Sequence, residues 1–571
     1  MYILGISERG HNPAACLMQD GKLISFVEEE RFTRVKGSPN SYPIRASIFC
    51  IEHAGIRLSD IDCIAVGWNL SKYEGYMQSF YKSLSNSYVK DKTTLLTEQL
   101  LLERFRKERV EHAIQEGFFR HGCKDALPEI EYIDHHLAQC ASTFFSSPFS
   151  DALILTIDGA GEDIATGIWA GRELDIELID SYQLPNSLGW FYSAITEYLG
   201  FTPNQHEGKV MGLASYGKEN PKVREVLNRV LTMSKGRYQV DPRYLFFGKH
   251  TYGIRFTDQL VGELGLPRNV GEPLTELHKD VAYVAQDMLE TVVLAIIRDY
   301  ALKSNIANLC LAGGVAMNCR LNGAISSVQE IENIYIPPMC NDAGTALGAA
   351  MISCLKRGID PRSTMSHAYW GPSYSNEEVE KRLKLAKVSY NGVDEPGLAA
   401  AEFLSDGKIV GWFQGRAEVG ARALGARSIL ANPFLHDIKD TLNSLVKFRE
   451  PWRPFAAAVL EEDSELIFGR SIQSPFMMVT FDVQPNRREY LRSAIHVDGT
   501  TRPQTVSSED VYSKYRNVLE HFRSNTSIPA ILNTSFNVRG EPIVCSPEDA
   551  LRCFYSTGLD VLIVENFVIE K

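Results

Sequence analysis

Ala152-Leu-Ile-Leu-Thr-Ile-Asp158-Gly-Ala-Gly161 is the stretch whose reading decides the fold. Its apolar run reads as a buried strand, and Asp158 with two glycines reads as a tight turn. Residues 166–170 then predict a second strand, Gly171-Arg172 a hairpin turn, and residues 174–179 a third strand. The same pattern stands at the start of the chain. Residues 2–6 are a short apolar strand and residues 7–12 a polar turn. Residues 14–18, the turn Asp20-Gly21-Lys22, and residues 23–27 complete it.

A meander used twice in this way resembles the opening of each lobe in the actin and hexokinase superfamily. Outward from the meanders, residues 93–117 predict an amphipathic helix, with Leu96, Leu100, Leu101, Phe105, Val110 and Ile114 near helical spacing. Such a face suits packing or a dimer surface better than chemistry. A long helix is predicted over residues 274–303. Gly358, Pro361, Ser363, Gly371 and Pro372 cluster without a long apolar run, which places the main domain boundary there. Beyond it, strands are predicted at 409–413, 455–460, 528–532 and 561–564. The class is α/β (α+β).

Composition bounds the function. The 571 residues hold 44% hydrophobic and 23% charged residues, ordinary globular values that exclude disorder for the chain as a whole. Net charge is −12, which argues against broad attraction to nucleic acid or an anionic membrane. Eleven cysteines, scattered from Cys16 to Cys553 without a C-x-x-C pair, argue against a disulfide framework or structural zinc. No apolar run reaches transmembrane length, and the amino terminus reads as a strand rather than a signal peptide. The expectation is a cytoplasmic enzyme with no membrane partner.

Four stretches carry chemistry. Gly313-Gly314, after the apolar residues 308–312, suits close approach of a ligand to backbone at a helix start. Asp342, before a small-residue helix, sits where an N-cap would sit; capping is its default role, and holding a metal is the alternative. His135 and Gln139 share one face if their segment is helical, but Gln is a poor metal ligand. Finally, residues 414–453 hold seven Lys/Arg and four acids, a net +3 interleaved with glycines. Arginine forks suit phosphate, so an anion pocket is expected there, with RNA backbone as the lesser option.

At these residues the chain is similar to the nodulation-protein-U type of O-carbamoyltransferase. The matching stretches run in order: Val27-Glu-Glu-Glu-Arg-Phe32, His135-His-Leu-Ala138, Gly208-Lys-Val-Met-Gly-Leu-Ala214 and Ala312-Gly-Gly-Val315. Then come Gly415-Arg-Ala-Glu-Val-Gly-Ala-Arg-Ala-Leu-Gly425, Trp452-Arg-Pro-Phe455 and Leu532-Asn-Thr-Ser-Phe-Asn537. The resemblance implies an actin-like (ribonuclease H-like) transfer domain over residues 1–357, a linker at 358–372, and a YrdC-like domain over 373–571. It implies that carbamoyl phosphate and ATP yield a carbamoyl-adenylate in the second domain. The carbamoyl group then passes to a hydroxyl of a small-molecule acceptor in the first.

By the same resemblance, Arg422, Lys447, Arg449, Arg453, Arg502, Asn533 and Arg539 bind carbamoyl phosphate and ATP. Lys447 and Arg502 stabilise charge at the transferring phosphorus, and His11 acts on the acceptor hydroxyl as general base or orients it. Lys209, Gly313, Gly314 and Asn318 contact nucleotide in the first domain. The implied cofactors are ATP with Mg²⁺, and a divalent metal such as Fe²⁺ on His135, Asp158 and Asp342, with the amide oxygen of Gln139 as a weak fourth ligand. The family reads His where this chain has Gln139, which leaves metal identity and occupancy open. A fused tRNA-threonylcarbamoylating enzyme and a binding protein with a decayed metal site are the competing readings; overall acidity and the intact cationic set weigh against them. No nucleic-acid partner is expected. The acceptor and the oligomeric state stay open, with a homodimer compatible with the helix at 93–117.

Overall fold

The computed structural model describes residues 1–8, 11–76, 79, 105–245, 255–508, 511 and 513–571. Residues 1–24 and 39–364 make a first unit, and residues 25–38 and 365–571 a second.

The first unit carries the two meanders as two sheets. One holds β1 (Tyr2–Ser7), β2 (Ala14–Gln19), β3 (Lys22–Glu28), β4 (Cys63–Val66) and β5 (Glu129–Tyr132), in the order β3-β2-β1-β4-β5. In chain order β6 (Asp151–Ile157), β7 (Ile164–Arg172) and β8 (Asp175–Gln183) follow, then a small hairpin of β9 (Leu231–Ser234) and β10 (Arg237–Val240). With β11 (Asn308–Ala312) and β12 (Asn333–Tyr335), β6 to β8 form the second sheet, in the order β12-β11-β6-β7-β8. Counted from each meander, both sheets run 3-2-1-4-5. β1 is antiparallel to β2 and parallel to β4; β6 is antiparallel to β7 and parallel to β11. The duplication read from the sequence is therefore real, and this unit is actin-like. β1 and β6 are buried along nearly their whole length, as central strands covered on both faces must be.

Small residues set the spacing of the helices. Helix His135–Phe144 packs against helix Gly344–Lys356, whose sequence is GTALGAAMISCLK. A Cβ added at Gly348 would stand 1.7 Å from the Ala138 carbonyl oxygen, so only glycine permits this approach. Gly348→Ala is expected to lower stability by roughly 1–3 kcal/mol, as overpacking of a tight contact does, and a urea unfolding midpoint checks it.

The predicted long helix is Glu276–Ser304, opened by a capping box of Thr275 and His278 and closed by Asn305 at φ 54°. Of the helix expected over residues 93–117, residues 93–104 lie outside the described residues. Residues Lys107–Arg120 are helical and bury Val110, Ile114 and Phe118. Among the described residues no helix is long and apolar enough to cross a membrane.

The second unit adds, in chain order, β13 (Asn391–Gly392), β14 (Val410–Phe413), β15 (Arg427–Ala431) and β16 (Ala456–Leu460). Then come the short pair β17 (Phe481–Asp482) and β18 (Thr500–Thr501), β19 (Gln504–Val506), β20 (Ala530–Ser535), β21 (Val561–Val564) and β22 (Phe567–Glu570). Apart from the short pair, they form one mixed sheet in the order β13-β22-β21-β14-β15-β20-β16-β19. Helix Ser513–Thr526 buries Tyr515, Val518, Leu519 and Phe522 in one core, and helix Pro547–Tyr555 buries Ala550, Leu551 and Phe554 in another. This is the α/β class expected of the carboxyl-terminal half. Residues 25–38, which no sequence signal assigned to this half, belong to it.

Candidate functional site

In the first unit three loop ends meet at one buried point. Asp158 follows β6, Gly313 follows β11, and His135 opens its helix. His135 Nε2 lies 3.7 Å from Asp158 Oδ2 and 3.7 Å from Asp342 Oδ1. One donor atom from each of the three residues falls within 4.8 Å of the others. Glycines make room for this. Gly314 N–H donates to Asp158 Oδ2 at 3.2 Å and Gly159 N–H to Oδ1 at 2.7 Å. At Gly313, φ is +94° and a Cβ would meet the Ile157 carbonyl oxygen at 2.1 Å.

The helix that carries His135 is anchored at its first turn. Its backbone N–H donates to both oxygens of buried Glu162, at 2.9 and 3.1 Å. The ring packs edge-on against Trp68 at 4.6 Å. Gln139, one turn on, is fully buried. Its carboxamide nitrogen lies 2.9 Å from His135 Nε2 and donates to Asp158 Oδ2 at 2.6 Å, and its oxygen has no hydrogen-bond partner. His135 and Gln139 thus share the face that helical spacing predicted. The neighbouring His136 faces away, its Nδ1 2.8 Å from Thr156 Oγ1, and burial and the charge of His135 hold its pKa down to about 3.

Asp342 corrects one expectation. The helix after it begins at Gly344 with Ala343 at the N-cap and no side-chain cap. The Asp342 carboxylate instead faces Asp158 and His135 and accepts the backbone N–H of His11. Burial, then the charge of Asp158, push its pKa up to about 8. Burial works against a charged His135, but Asp158 and Asp342 outweigh it and raise that imidazole to about 9. Two half-buried carboxylates that keep His135 protonated in this way are short of positive charge, and a divalent cation on His135, Asp158 and Asp342 would supply it.

His11 stands beside this cluster. Its ring is exposed, yet the protein around it lowers its pKa, chiefly by desolvation and then by the charge of Arg255, with Asp158 opposing. That favours the neutral imidazole a general base needs.

The other first-unit candidates are built into the frame around this point. Lys209 is buried on helix Glu207–Ala214, 5.4 Å from the Phe201 ring. Asn318 caps helix Cys319–Ile325 by accepting from Leu321 N–H, and donates to Gln286 Oε1 at 2.9 Å. Gln286 also accepts from Tyr192 Oη at 2.6 Å. No sequence signal marked Gln286, Glu162, Trp68 or Arg255, because each reaches the site from a distant element.

In the second unit the cations converge. Lys447 is 4% exposed, and its ammonium donates to Asn537 Oδ1 at 2.8 Å, to the Asn537 carbonyl at 3.1 Å and to Ser535. Burial, then Arg449 and Arg453, lower its pKa well below the usual lysine value. Arg449 donates to Asn443 Oδ1 at 2.7 Å and stacks 4.3 Å from the Phe455 ring. Burial, then the charge of Arg453, bring it down to about 9, with Arg502 contributing and Glu450 opposing. Arg453 is lowered by burial, and the charges of Arg502 and Arg539 add to this while Glu450 opposes. The charges of Arg449 and Arg453 thus act on Lys447, that of Arg502 on both arginines and that of Arg539 on Arg453, while Glu450 opposes the shifts of the two arginines.

Two expected members of this pocket act on its frame. Asn533 is 1% exposed and donates to the Ala423 carbonyl, Gln504 Oε1 and Tyr515 Oη at 3.2, 2.9 and 3.0 Å. It holds the residue next to Arg422. Buried Glu418 folds the same loop by accepting N–H groups of Leu424, Ala426 and Arg427 at 2.8, 2.7 and 3.1 Å. Arg427, fully buried, donates to four backbone carbonyls, those of Gln414, Gly415, Ala426 and Pro372, and lies 3.5 Å from the Phe413 ring centroid. Within the +3 stretch it is a strut, not a ligand.

Two family models match this chain: one described as Carbamoyltransferase N-terminus over residues 2–351, and one described as Carbamoyltransferase C-terminus over residues 401–571. Nodulation protein NolNO of Sinorhizobium fredii is 36% identical, with 98% of this chain and 79% of that one covered. An uncharacterized protein of Synechocystis sp. is also 36% identical, over all of this chain and 97% of its own length. Nodulation protein U of Bradyrhizobium diazoefficiens is 27% identical over 97% of this chain and 94% of that one. Among solved structures, full-length HypF in a phosphate- and nucleotide-bound form matches 63% of this chain and 56% of its own, at 13% identity and a TM-score of 0.36.

Proposed function

The chain belongs to the carbamoyltransferase family and is a carbamoyltransferase, and from that premise we propose that it transfers the carbamoyl group in two ATP-dependent stages. In the second unit, water releases carbamate and phosphate from carbamoyl phosphate. The carbamate oxygen then attacks the α-phosphorus of ATP, giving carbamoyl-adenylate and pyrophosphate. In the first unit an acceptor hydroxyl attacks the carbamoyl carbon, its proton leaves to a base, and AMP departs. The result is an O-carbamoylated small molecule.

The observation that carries this reading is Lys447, buried on neutral oxygens of Ser535 and Asn537, with the charges of Arg449 and Arg453 acting on it and those of Arg502 and Arg539 acting on these arginines. Cations held this close destabilise one another unless a polyanion joins them, and both carbamoyl phosphate and ATP are polyanions. Arg422, on the glycine-rich loop that Glu418 and Asn533 fold, would add a further guanidinium for the phosphates. In the first unit, His11 takes the proton of the acceptor hydroxyl. Gly313, Gly314, Lys209 and Asn318 form the nucleotide side of that site. A divalent cation on His135, Asp158 and Asp342 would supply charge for the nucleotide phosphates and the developing negative charge.

Labelled pyrophosphate tests the reading. Exchange into ATP that requires carbamoyl phosphate is the expected result. Exchange that requires threonine and bicarbonate would transfer the reading to tRNA modification, and no exchange would overturn it.

Gln139 bears on the metal. An amide is a poorer ligand than imidazole, so the oxygen-rich set suits Mg²⁺ or Mn²⁺ better than Fe²⁺. Gln139→His is expected to raise retained iron, measured by elemental analysis after desalting, roughly tenfold relative to the parent. Equal iron in both proteins would remove position 139 from the ligand set.

A further inference from the structure

The stretch Val27-Glu-Glu-Glu-Arg-Phe32 lies far from the second unit in sequence, and the two-stage reading gives it no role. Yet residues 25–38 pack within that unit. Residues 25–28 are the end of β3, and with the turn and short helix that follow they form an arm that groups with the second unit until the chain rejoins the first at Pro39. Phe26 N–H donates to the Trp370 carbonyl at 3.2 Å, and Phe26, Val27, Glu28, Glu29, Glu30 and Arg31 are all at most 5% exposed. Four consecutive charged residues at that depth are expensive to desolvate unless each meets a fixed partner.

Glu28 and Arg31 find partners on the glycine-rich loop that carries Arg422. Gly420 N–H donates to Glu28 Oε1 at 2.6 Å, and Arg31 Nη2 donates to the Gly420 carbonyl at 2.8 Å. Both backbone groups of one residue are thus gripped by the arm. Gly420 has φ +97° and stands two residues before Arg422, on the loop that Glu418 and Asn533 fold from the other side. Arg31 pairs with Glu28 at 3.6 Å and also with Glu30, which in turn pairs with Lys36 at 3.1 Å. Further along the arm, Arg34 donates to the carbonyls of Ile543 and Pro542 at 2.7 and 3.0 Å and pairs with Asp549 at 3.2 Å. That segment returns from Asn537 and Arg539, where Lys447 is bound. The charge of Lys36, at the end of the arm, reaches Lys447.

We infer that Glu28, Arg31 and Arg34 are positioning residues of the carbamoyl-adenylate-forming site, fixing from the amino-terminal part of the chain the two loops that carry Arg422 and Asn537–Arg539. A loop cation that drifts by about 1 Å from its phosphate loses much of its effect, so the arm acts on substrate affinity as well as on packing. The inference rests on the reading of the second unit as the phosphate-binding one.

The test uses the full chain and carbamoyl-phosphate-dependent pyrophosphate exchange. Arg31→Met leaves Glu28 and Glu30 without their partner at depth and can fail to fold, so Arg31→Lys and Arg34→Lys accompany it. Each keeps a positive charge and loses the guanidinium fork. The expected result is that both lysine variants raise KM for carbamoyl phosphate roughly tenfold while their unfolding midpoints stay near the parent's. A purely structural role would lower the midpoint and leave KM unchanged in the protein that remains folded; that result overturns the inference, as does parental KM with a parental midpoint. If the parent chain shows no exchange, the reading of the second unit has failed and the inference falls with it. Parental exchange with indifferent variants removes the arm alone.

Discussion

Lys447→Met is expected to cut carbamoyl-phosphate-dependent pyrophosphate exchange about a hundredfold to a thousandfold, without a matching loss of stability. The ammonium is 4% exposed, and the groups it donates to are uncharged oxygens of Ser535 and Asn537. Among the charges that act on it most, Arg449, Arg453 and Lys36 oppose its protonation, and only the Cys553 thiol favours it. Burying an ammonium in that company destabilises the folded chain by several kcal/mol on the usual scale for an uncompensated charge. A polyanionic substrate reverses the balance, because each phosphate oxygen then meets several donors in a low-dielectric pocket. Methionine fills similar volume and removes both the desolvation penalty and the hydrogen bonds, so the unfolding midpoint should move little. Exchange within about threefold of the parent would show that Lys447 serves the loop at Ser535 and Asn537 and not the reaction.

Asp158→Asn should weaken binding of Mn²⁺, followed by electron paramagnetic resonance, at least about a hundredfold. The substitution keeps the shape and replaces a carboxylate by an amide in a set whose third member, Asp342, is pushed up to about 8. Asp158 is the hub of that set. It receives N–H groups from Gly159 and Gly314, lies beside His135, and accepts from Gln139. Pyrophosphate exchange reads the other unit and serves as the control for folding. Binding of Mn²⁺ at parental strength would take Asp158 out of the ligand set.

Much of this was open to a reader of the sequence. Strand periodicity followed by glycine turns marked both meanders, because a strand buried on both faces must be apolar and the chain must then reverse sharply. The 3-2-1 part of each sheet follows from that layout, whereas the parallel fourth and fifth strands were placed only by the fold. Asp158, Gly313 and Gly314 were visible because they stand at strand ends, and His135 with Gln139 because helical spacing puts them on one face. The cationic stretch was visible as a local excess of charge. Within it, however, composition could not separate Arg427, which ties four carbonyls together, from Arg449 and Arg453, whose charges act on Lys447. Nor could it tell that Asp342 turns from its helix toward His135 instead of capping that helix.

What the sequence determined by itself was therefore the repeated meander, the strand-end residues and a local excess of positive charge. These depend on neighbours a few residues apart, and local pattern encodes them. Only the tertiary structure decided which charges share a field, which arginines are struts, and that residues 25–38 are built into the second unit. Those facts depend on contacts across hundreds of residues, such as Glu28 and Arg31 with Gly420, where the driving term is the desolvation of buried charge. That term has no local signature. A run of Glu-Glu-Glu-Arg reads as a solvated turn until the fold shows what it grips.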